Sequence, residues 1–236
     1  QDAVLPPTQI LNTFFNDSFI IYWPRDIVSG DFYWLKERKK DILITAADCT
    51  GHGVPGAFMS LLGISFLNNM VSESGNDSPA EILNKLRNEV IKSLNQSEKE
   101  TKVRSGMDAA LIAINKDRST IEYAGAYNPL VLIRDKGLEE LKADKMPIAY
   151  YEHMEPFTNH SMQLQEGDQL YFFSDGFADQ FGGPDNKKIK RGKFYKWLLE
   201  IEGLPFNKQS EILEKNFNEW KGESDRVDDV VLIGIK

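Results

Sequence analysis

The chain has 236 residues, 41% of them hydrophobic, and a formal net charge of -8 at pH 7. This length and composition allow one large domain with a substantial buried core, and the acidic balance argues against a general attraction to nucleic acid or to anionic membranes. Cys49 is the single cysteine, which excludes an internal disulfide, and no apolar stretch approaches the roughly 20 residues that span a bilayer. We therefore expect a cytoplasmic domain without membrane contact of its own, which a membrane sensor elsewhere in the full-length protein could tether.

The first half of the chain predicts strands followed by two helices. The runs NDSFIIYW, DFYWLKE and DILITAAD have the composition of β-strands, and the charged turn RKK joins the last two as a hairpin. Behind the glycine-rich turn CTGHGVPG, apolar residues at three- and four-residue steps predict a helix over residues 54–71. These apolar residues are Val54, Phe58, Leu61, Leu62, Phe66 and Met70. The sequence Ser78-Pro79-Ala80-Glu81 has the form of a capping box and predicts the start of a second helix.

The second half predicts a meander of strands, a further long strand and two helices. After the polar stretch at residues 97–106, the runs AALIAI, TIEYAGA, PLVLIR and LEELKA alternate with turns. A strand follows at residues 169–174, helices near residues 194–201 and 207–220, and a last strand at residues 230–235. Strands grouped at both ends of the chain, with helix pairs between them, predict the α+β class, in which helices pack on the outer faces of antiparallel sheets.

Aspartates stand at the edges of four apolar, strand-like runs. They are Asp31, Asp48, Asp175 and the pair Asp228 and Asp229. If the strands bring these carboxylates together, their mutual repulsion must be removed by protonation or by cations. A group of oxygen-only ligands suits hard divalent ions such as Mg²⁺ or Mn²⁺. The sequence therefore predicts a metal-dependent hydrolase.

Five motifs in order along the chain carry a family resemblance. The motifs PRDIVSGDFYW, ADCTGHGVPGAF, GMDAALIAI, FFSDGFADQFGG and VDDVVLIGI resemble those of the metal-dependent serine/threonine protein phosphatases of the type 2C (PPM) superfamily. The resemblance is closest to the bacterial branch typified by the stage II sporulation phosphatase and the phosphatases that control stress-response sigma factors, and it spans roughly residues 22–235. It implies a four-layer αββα sandwich, two face-to-face antiparallel sheets flanked by helices, with two Mn²⁺ or Mg²⁺ ions at one end.

The resemblance also assigns metal ligands to positions of this sequence. Asp31 resembles a carboxylate of the first metal site, and Asp48 resembles the aspartate that bridges both ions. The residue after the bridging aspartate usually offers its backbone carbonyl to an ion, and here that residue is Cys49. Asp175 and Asp228 resemble the remaining carboxylates on the metal side.

Four further positions leave alternatives open. Asp229 stands beside Asp228 in the motif, so the motif register decides which of the two is the ligand. The resemblance makes Asp108 of GMD a candidate for a third metal site. Arg25 either holds the substrate phosphate through its guanidinium or forms a surface ion pair. His52 stands four residues after Asp48, unlike the histidine of the Asp-Gly-His-Gly turn in eukaryotic enzymes, and we interpret it as structural rather than catalytic.

The predicted activity is hydrolysis of phosphoserine or phosphothreonine on a protein, with a hydroxide that bridges two metal ions as nucleophile. By family analogy the substrate is a small phosphorylated anti-anti-sigma factor. Because the chain begins at Gln1, we expect a longer protein with an upstream regulatory sensor region. Residues 1–21 are predicted to contain the junction with that region and the first strand, and residues 22–236 the catalytic domain. We expect the junction to take part in switching or homodimerisation. Two alternatives stay open: a non-catalytic phosphoprotein-binding module of the same fold, and a metal-dependent phosphodiesterase or nuclease, which the acidic balance disfavours.

Overall fold

The structure is a computed structural model that describes residues 1, 3–97 and 105–236, so most of the polar stretch at residues 97–106 lies outside the described residues. A 3-10 helix at Thr8–Thr13 precedes the strands and helices. In chain order these are β1 (Ser18–Trp23), β2 (Phe32–Glu37), β3 (Asp41–Cys49), α1 (Gly53–Met70), α2 (Pro79–Ser93), β4 (Met107–Asn115), β5 (Thr120–Ala126), β6 (Leu130–Arg134), β7 (Gly137–Leu141), β8 (His160–Gln163), β9 (Gln169–Phe173), α3 (Gly176–Asp179), β10 (Phe181–Gly182), β11 (Lys187–Lys188), α4 (Lys190–Glu200), α5 (Phe206–Lys221) and β12 (Val230–Ile235).

Two antiparallel five-stranded sheets pack face to face in the described residues. One sheet has the strand order β2-β3-β4-β5-β8 and the other β1-β12-β9-β6-β7. Their inner faces share one apolar core, to which Ile44 and Ile112 contribute from the first sheet and Phe172 and Ile233 from the second. Because alternate residues of a strand point to opposite faces, each sheet also has an apolar outer face that must be covered.

Helices cover both outer faces. Helices α1 and α2 pack on the sheet that contains β3 and β4, and helices α4 and α5 pack on the sheet that contains β9 and β12. The predicted four-layer αββα sandwich is therefore confirmed. None of the helices in the described part of the chain is both long enough and apolar enough to cross a bilayer.

The capping box accounts for where α2 begins, whereas the predicted apolar pattern of α1 does not give its buried face. Glu81 N donates to Ser78 Oγ at 3.4 Å, and Ser78 N donates to Glu81 Oε2 at 2.7 Å, so the predicted capping box forms at the start of α2. Helix α1 buries a stripe that includes Ala57, Gly63 and Leu67, whereas Val54 and Phe58 of the predicted apolar pattern are 63% and 66% exposed. A Cβ on Gly63 would lie 2.9 Å from the Phe32 ring, so only a small residue permits this close helix-to-sheet packing.

Candidate metal centre

The candidate ligands come from four separate places in the fold. Asp31 directly precedes β2, Asp48 lies near the end of β3, Asp175 follows the Phe173 end of β9, and Asp228 lies two residues before β12. A cavity of about 240 Å³ lies at this end of the sandwich. Its lining consists of Asp48, Cys49, Thr50, Gly51, His52, Asp108, Asp175 and Asp228. The structure thus brings together carboxylates that are far apart in the sequence.

Asp31 is the most deeply buried of these carboxylates, with 2% of its surface exposed. Within the described residues its Oδ2 atom has no hydrogen-bond partner. Burial raises the pKa of Asp31 well above its usual range, and repulsion from Asp229, Asp228 and Asp175 adds to the effect. A buried carboxylate oxygen without a donor requires a proton or a cation.

Asp48 and Asp108 are cross-strand neighbours on β3 and β4. Burial raises the pKa of Asp48 well above its usual range, with further repulsion from Asp31, Asp175, Asp228 and Asp108. Burial, together with repulsion from Asp175, raises the pKa of Asp108 to about 7. The Asp108 side chain therefore belongs to the same electrostatic cluster as the four principal candidates.

Asp175 and Asp228 line the side of the cavity that belongs to the second sheet. Asp175 keeps solvent contact, yet neighbouring protein atoms take away part of the hydration of its carboxylate, and this loss raises its pKa, with added repulsion from Asp179 and Asp228. Burial also raises the pKa of Asp228, while a hydrogen bond from the backbone of Asp229 and the charge of Arg25 act in the opposite direction. Both groups thus take part in the repulsion that a cation would relieve.

Asp229 performs a different task from Asp228. It is 2% exposed, and its two carboxylate oxygens accept hydrogen bonds from Arg25 N at 2.7 Å and from Gly30 N at 2.8 Å. These contacts fix residues 25–30, the loop that leads into Asp31. Asp228, by contrast, lines the cavity. This geometry favours Asp228 over Asp229 as the member of the pair that faces an ion.

The glycine-rich turn after β3 is packed backbone against backbone. Gly51 and Gly53 have φ values of +90° and +64°, which side chains rarely allow. A Cβ on Gly56 would lie 2.1 Å from Gly51 O, and one on Gly30 would lie 2.4 Å from the same atom. The Cβ on Gly30 would also lie 3.1 Å from the carbonyl oxygen of Cys49. The turn, the start of α1 and the loop before Asp31 are therefore held as one unit.

Cys49 itself is buried, and burial, with repulsion from Asp48, raises the pKa of its thiol well above the usual range. A neutral thiol is a poor ligand for a hard cation. Of the groups that Cys49 carries, its carbonyl oxygen is thus the one suited to Mg²⁺ or Mn²⁺.

Arg25 and His52 lie at the rim of the centre. Arg25 is exposed and forms no ion pair with a carboxylate of the described residues, so the alternative of a surface ion pair finds no contact in support. His52 Nδ1 lies 2.8 Å from Asp26 Oδ2, with both side chains about half exposed. The pairing of His52 with Asp26 joins the glycine-rich turn to the loop that carries Arg25.

The donor set fits a hard divalent cation, although the side chains do not already form a coordination sphere. Among the described residues, no three His, Cys, Asp or Glu side chains are arranged to hold an ion. Asp31 Oδ2 nevertheless lacks a donor among the described residues. Burial, with added repulsion between the carboxylates, raises the pKa values of Asp31 and Asp48, so either a proton or a cation would relieve the cost of their charges. Oxygen-only donors of this kind are the ligands that Mg²⁺ and Mn²⁺ prefer.

The chain is similar in sequence and in fold to known phosphatase domains. The sequence profile of stage II sporulation protein E matches residues 38–236. The SiaA-PP2C domain of Pseudomonas aeruginosa is similar over 100% of this chain and 92% of its own, with 29% identity and a TM-score of 0.89. The PP2C phosphatase domain of SpoIIE from Bacillus subtilis, solved with a fragment of its regulatory domain, is similar over 93% of this chain and 61% of its own, with 20% identity and a TM-score of 0.70.

A third similar structure is RsbX in complex with magnesium, with 15% identity, a TM-score of 0.63 and 92% of each chain covered. No curated protein matches the chain in sequence. The fold and these matches define a PP2C-type phosphatase domain, a metal-dependent protein serine/threonine phosphatase. More narrowly, the chain belongs to the stage II sporulation protein E family, as the resemblance of its motifs predicted.

Two contacts around the centre escaped sequence analysis. The hydrogen bonds of Asp229 to Arg25 and Gly30 join residues about two hundred positions apart, and no local pattern announces such a contact. The pairing of Asp26 with His52 is of the same kind. For the contacts of Asp229, the available sequence signal is the double aspartate before β12. Adjacent side chains of an extended segment point in different directions, so two neighbouring aspartates have different partners.

Proposed function

We propose that this domain removes phosphoryl groups from phosphoserine or phosphothreonine in a protein, using two Mn²⁺ or Mg²⁺ ions. Asp31, Asp48, Asp175 and Asp228 would hold the ions together with the carbonyl oxygen of Cys49. The observation that carries the proposal is that Asp48, Asp175 and Asp228, from three separate elements, line one cavity. The buried Asp31 lies close enough to Asp175 and Asp228 for repulsion between the carboxylates, and its Oδ2 lacks a partner among the described residues. Asp108 is the candidate for a third, weaker site.

The charge of the site supports a phosphate substrate only when cations are bound. A cluster of carboxylates repels a phosphoryl group; burial raises the pKa of each of Asp31, Asp48 and Asp228, and repulsion from neighbouring carboxylates adds to the effect. Bound divalent cations would reverse the sign of the site and lower the pKa of an attacking water. The protein's part is to hold the carboxylates on fixed strand ends and to present Arg25, whose guanidinium can bind phosphate oxygens bidentately.

We further propose that the domain is the output unit of a longer, cytoplasmic signalling protein and that its substrate is a small phosphorylated anti-anti-sigma regulator. Similarity to SpoIIE, a cell fate determinant with a regulatory domain, supports this assignment. Residues 1–21 would join an upstream sensor region to the catalytic domain and take part in switching or homodimerisation. The side chain of Gln1 binds Ser29 O at 2.7 Å and Ser60 Oγ at 2.9 Å, so this segment touches the loop before Asp31.

A metal-titrated turnover assay tests the proposal. The domain, stripped with chelator, is offered p-nitrophenyl phosphate, a phosphoserine peptide and a phosphodiester, each with added Mn²⁺ or Mg²⁺. We expect metal-dependent hydrolysis of both monoesters and little hydrolysis of the diester. Activity that survives exhaustive chelation would contradict the metal mechanism, and faster hydrolysis of the diester would favour a phosphodiesterase. Metal binding without turnover of any substrate would favour a phosphoprotein-binding module.

A further inference from the structure

A second, larger cavity opens beside the candidate metal centre. It is a groove of about 630 Å³, and it shares Asp108 and Asp175 with the metal cavity. Its other walls come from the turn between β5 and β6, from residues 140–145 and from the start of α4. A molecule whose phosphoryl group occupies the metal centre would therefore extend directly into this groove.

Three basic side chains line the groove of an acidic protein, and two of the three carboxylates in the lining, Asp108 and Asp175, are those that the groove shares with the metal cavity. The basic residues are Lys142, Lys145 and Arg191, and all three side chains are exposed. Within the described residues none of the three forms an ion pair with an Asp or Glu side chain. Glu140, the third carboxylate of the groove, accepts a hydrogen bond from the Tyr195 hydroxyl. The three cations are thus available to an anionic ligand.

One wall of the groove also carries a buried donor without an acceptor. Asn128 is 3% exposed and lines the groove, and its Nδ2 atom has no hydrogen-bond partner among the described residues. Buried polar groups of native proteins are almost always paired, so an unpaired one calls for a ligand or another explanation. Asn128 does not belong to the candidate ligand set of the metal centre.

The backbone around Asn128 is held in an unusual conformation. The preceding residue, Tyr127, has a φ of +56°, which is uncommon outside glycine. Hydrogen bonds fix the turn on both sides: Tyr127 N donates to Asp144 O at 2.9 Å, and the Tyr123 hydroxyl donates to Asn128 O at 2.8 Å. A turn kept in such a conformation by its surroundings, next to an unpaired donor, is typical of a binding site.

We infer that this groove binds an acidic segment of the phosphoprotein substrate, next to the phosphorylated residue in its sequence. Lys142, Lys145 and Arg191 select acidic side chains, and the amide of Asn128 donates to a backbone or carboxylate oxygen of the same segment. This inference rests on the proposed phosphatase function and adds a substrate class to it. The groove lies outside the metal cavity except for Asp108 and Asp175, so it acts on peptide selection rather than on the chemical step.

The test compares phosphoserine peptides of equal length whose flanking residues are acidic, neutral or basic, with p-nitrophenyl phosphate as a substrate that has no flanks. The variant is the triple substitution Lys142→Gln, Lys145→Gln and Arg191→Gln. The matched control is Lys39→Gln, Lys92→Gln and Lys215→Gln, which removes the same charge from residues that line none of the described cavities. All assays use saturating Mn²⁺ and two salt concentrations.

We expect wild-type kcat/KM to be highest for the acidic peptide, and we expect this preference to weaken at high salt. The groove variant should lose roughly tenfold or more of its kcat/KM for the acidic peptide relative to that for p-nitrophenyl phosphate, whereas the control variant should keep the wild-type ratio. Equal wild-type rates on acidic and basic peptides, or equal losses in both triple variants, would overturn the inference. Absence of turnover of p-nitrophenyl phosphate by the wild type would instead overturn the proposed function itself.

Asn128→Ala gives a second, independent readout. Because the Nδ2 donor that is removed has no partner among the described residues, its loss breaks no hydrogen bond, so the thermal stability of the protein should stay near that of the wild type while KM for the acidic peptide rises. A large loss of stability with unchanged KM would show that Asn128 has a structural role only.

Discussion

Asp48 and Asp108 stand directly opposite each other on the neighbouring strands β3 and β4. Like charges in this position destabilise a sheet, and here burial removes the water that would screen them. Their pairing therefore makes sense only if a proton or a cation neutralises them. This relationship ties the stability of the fold to the occupancy of the metal centre.

Asp48→Asn should abolish turnover and leave the fold intact. The amide keeps the shape of the carboxylate but removes a negative charge that would hold the ions. Stabilisation of the transition state by the ions is worth several kcal/mol, so we expect kcat/KM to fall by at least roughly 10³-fold. The assay is hydrolysis of a phosphoserine peptide with Mn²⁺, with calorimetric Mn²⁺ binding and circular dichroism as companions. Retained activity with normal metal binding would remove Asp48 from the mechanism.

The melting temperature of the metal-free domain should fall as pH rises from 5.5 to 8. The folded-state pKa of Asp108 is about 7 and those of Asp31 and Asp48 are raised as well, against about 3.9 in an unfolded chain. The folded protein thus binds more protons than the unfolded one between these values, and the contribution of these groups to stability is lost as pH rises through the folded pKa.

We expect this fall in the chelated protein to be roughly 5 °C, and added Mn²⁺ should stabilise the domain more at pH 8 than at pH 5.5. Asp108→Asn, in which one member of the cluster no longer titrates, should flatten the dependence. A melting temperature of the chelated wild type that rises over this range would contradict the assignment of raised pKa values to the cluster.

The ends of apolar runs predict which carboxylates share one cavity, whereas no local pattern predicts the long-range contacts around it. Asp48 and Asp175 each end a run that is plainly a strand, and carboxylates at the ends of strands in one sandwich can meet. The face-to-face arrangement of the two sheets came from the family resemblance rather than from periodicity.

Helix α1 lies at nearly the predicted residues, but the apolar pattern does not predict its buried face. Apolar residues lie all around this helix, and close packing against the sheet buries the small ones. The unpaired amide of Asn128 depends on what surrounds it in space, which no motif in the chain indicates.

Asp228 and Asp229 should respond differently to the same substitution. Asp228→Asn removes a carboxylate from the cavity, so metal affinity and turnover should fall while the free energy of unfolding of the chelated protein is kept or raised. Asp229→Ala removes the acceptor of two backbone donors, Arg25 N and Gly30 N, and should cost roughly 2–4 kcal/mol of stability. Urea unfolding of the chelated variants, paired with Mn²⁺ titration, separates the two effects. The reverse pattern would show that Asp229, not Asp228, is the ligand of the pair.

Gly56→Ala should disable the centre from a position that carries no ligand. The added methyl group would lie 2.1 Å from Gly51 O, so the glycine-rich turn must move away from α1 and take the carbonyl of Cys49 and the carboxylate of Asp48 with it. We expect a loss of roughly 2–4 kcal/mol in the free energy of unfolding, as for an overpacked site, and weaker Mn²⁺ binding.

Gly192→Ala is the matched control, because Gly192 lies within α4 and nothing stands within 4 Å of its added methyl group. That control should leave Mn²⁺ binding unchanged and stabilise the helix by up to about 1 kcal/mol. Equal behaviour of the two variants in urea unfolding and Mn²⁺ titration would show that the close approach of Gly56 to Gly51 does not hold the metal centre in place.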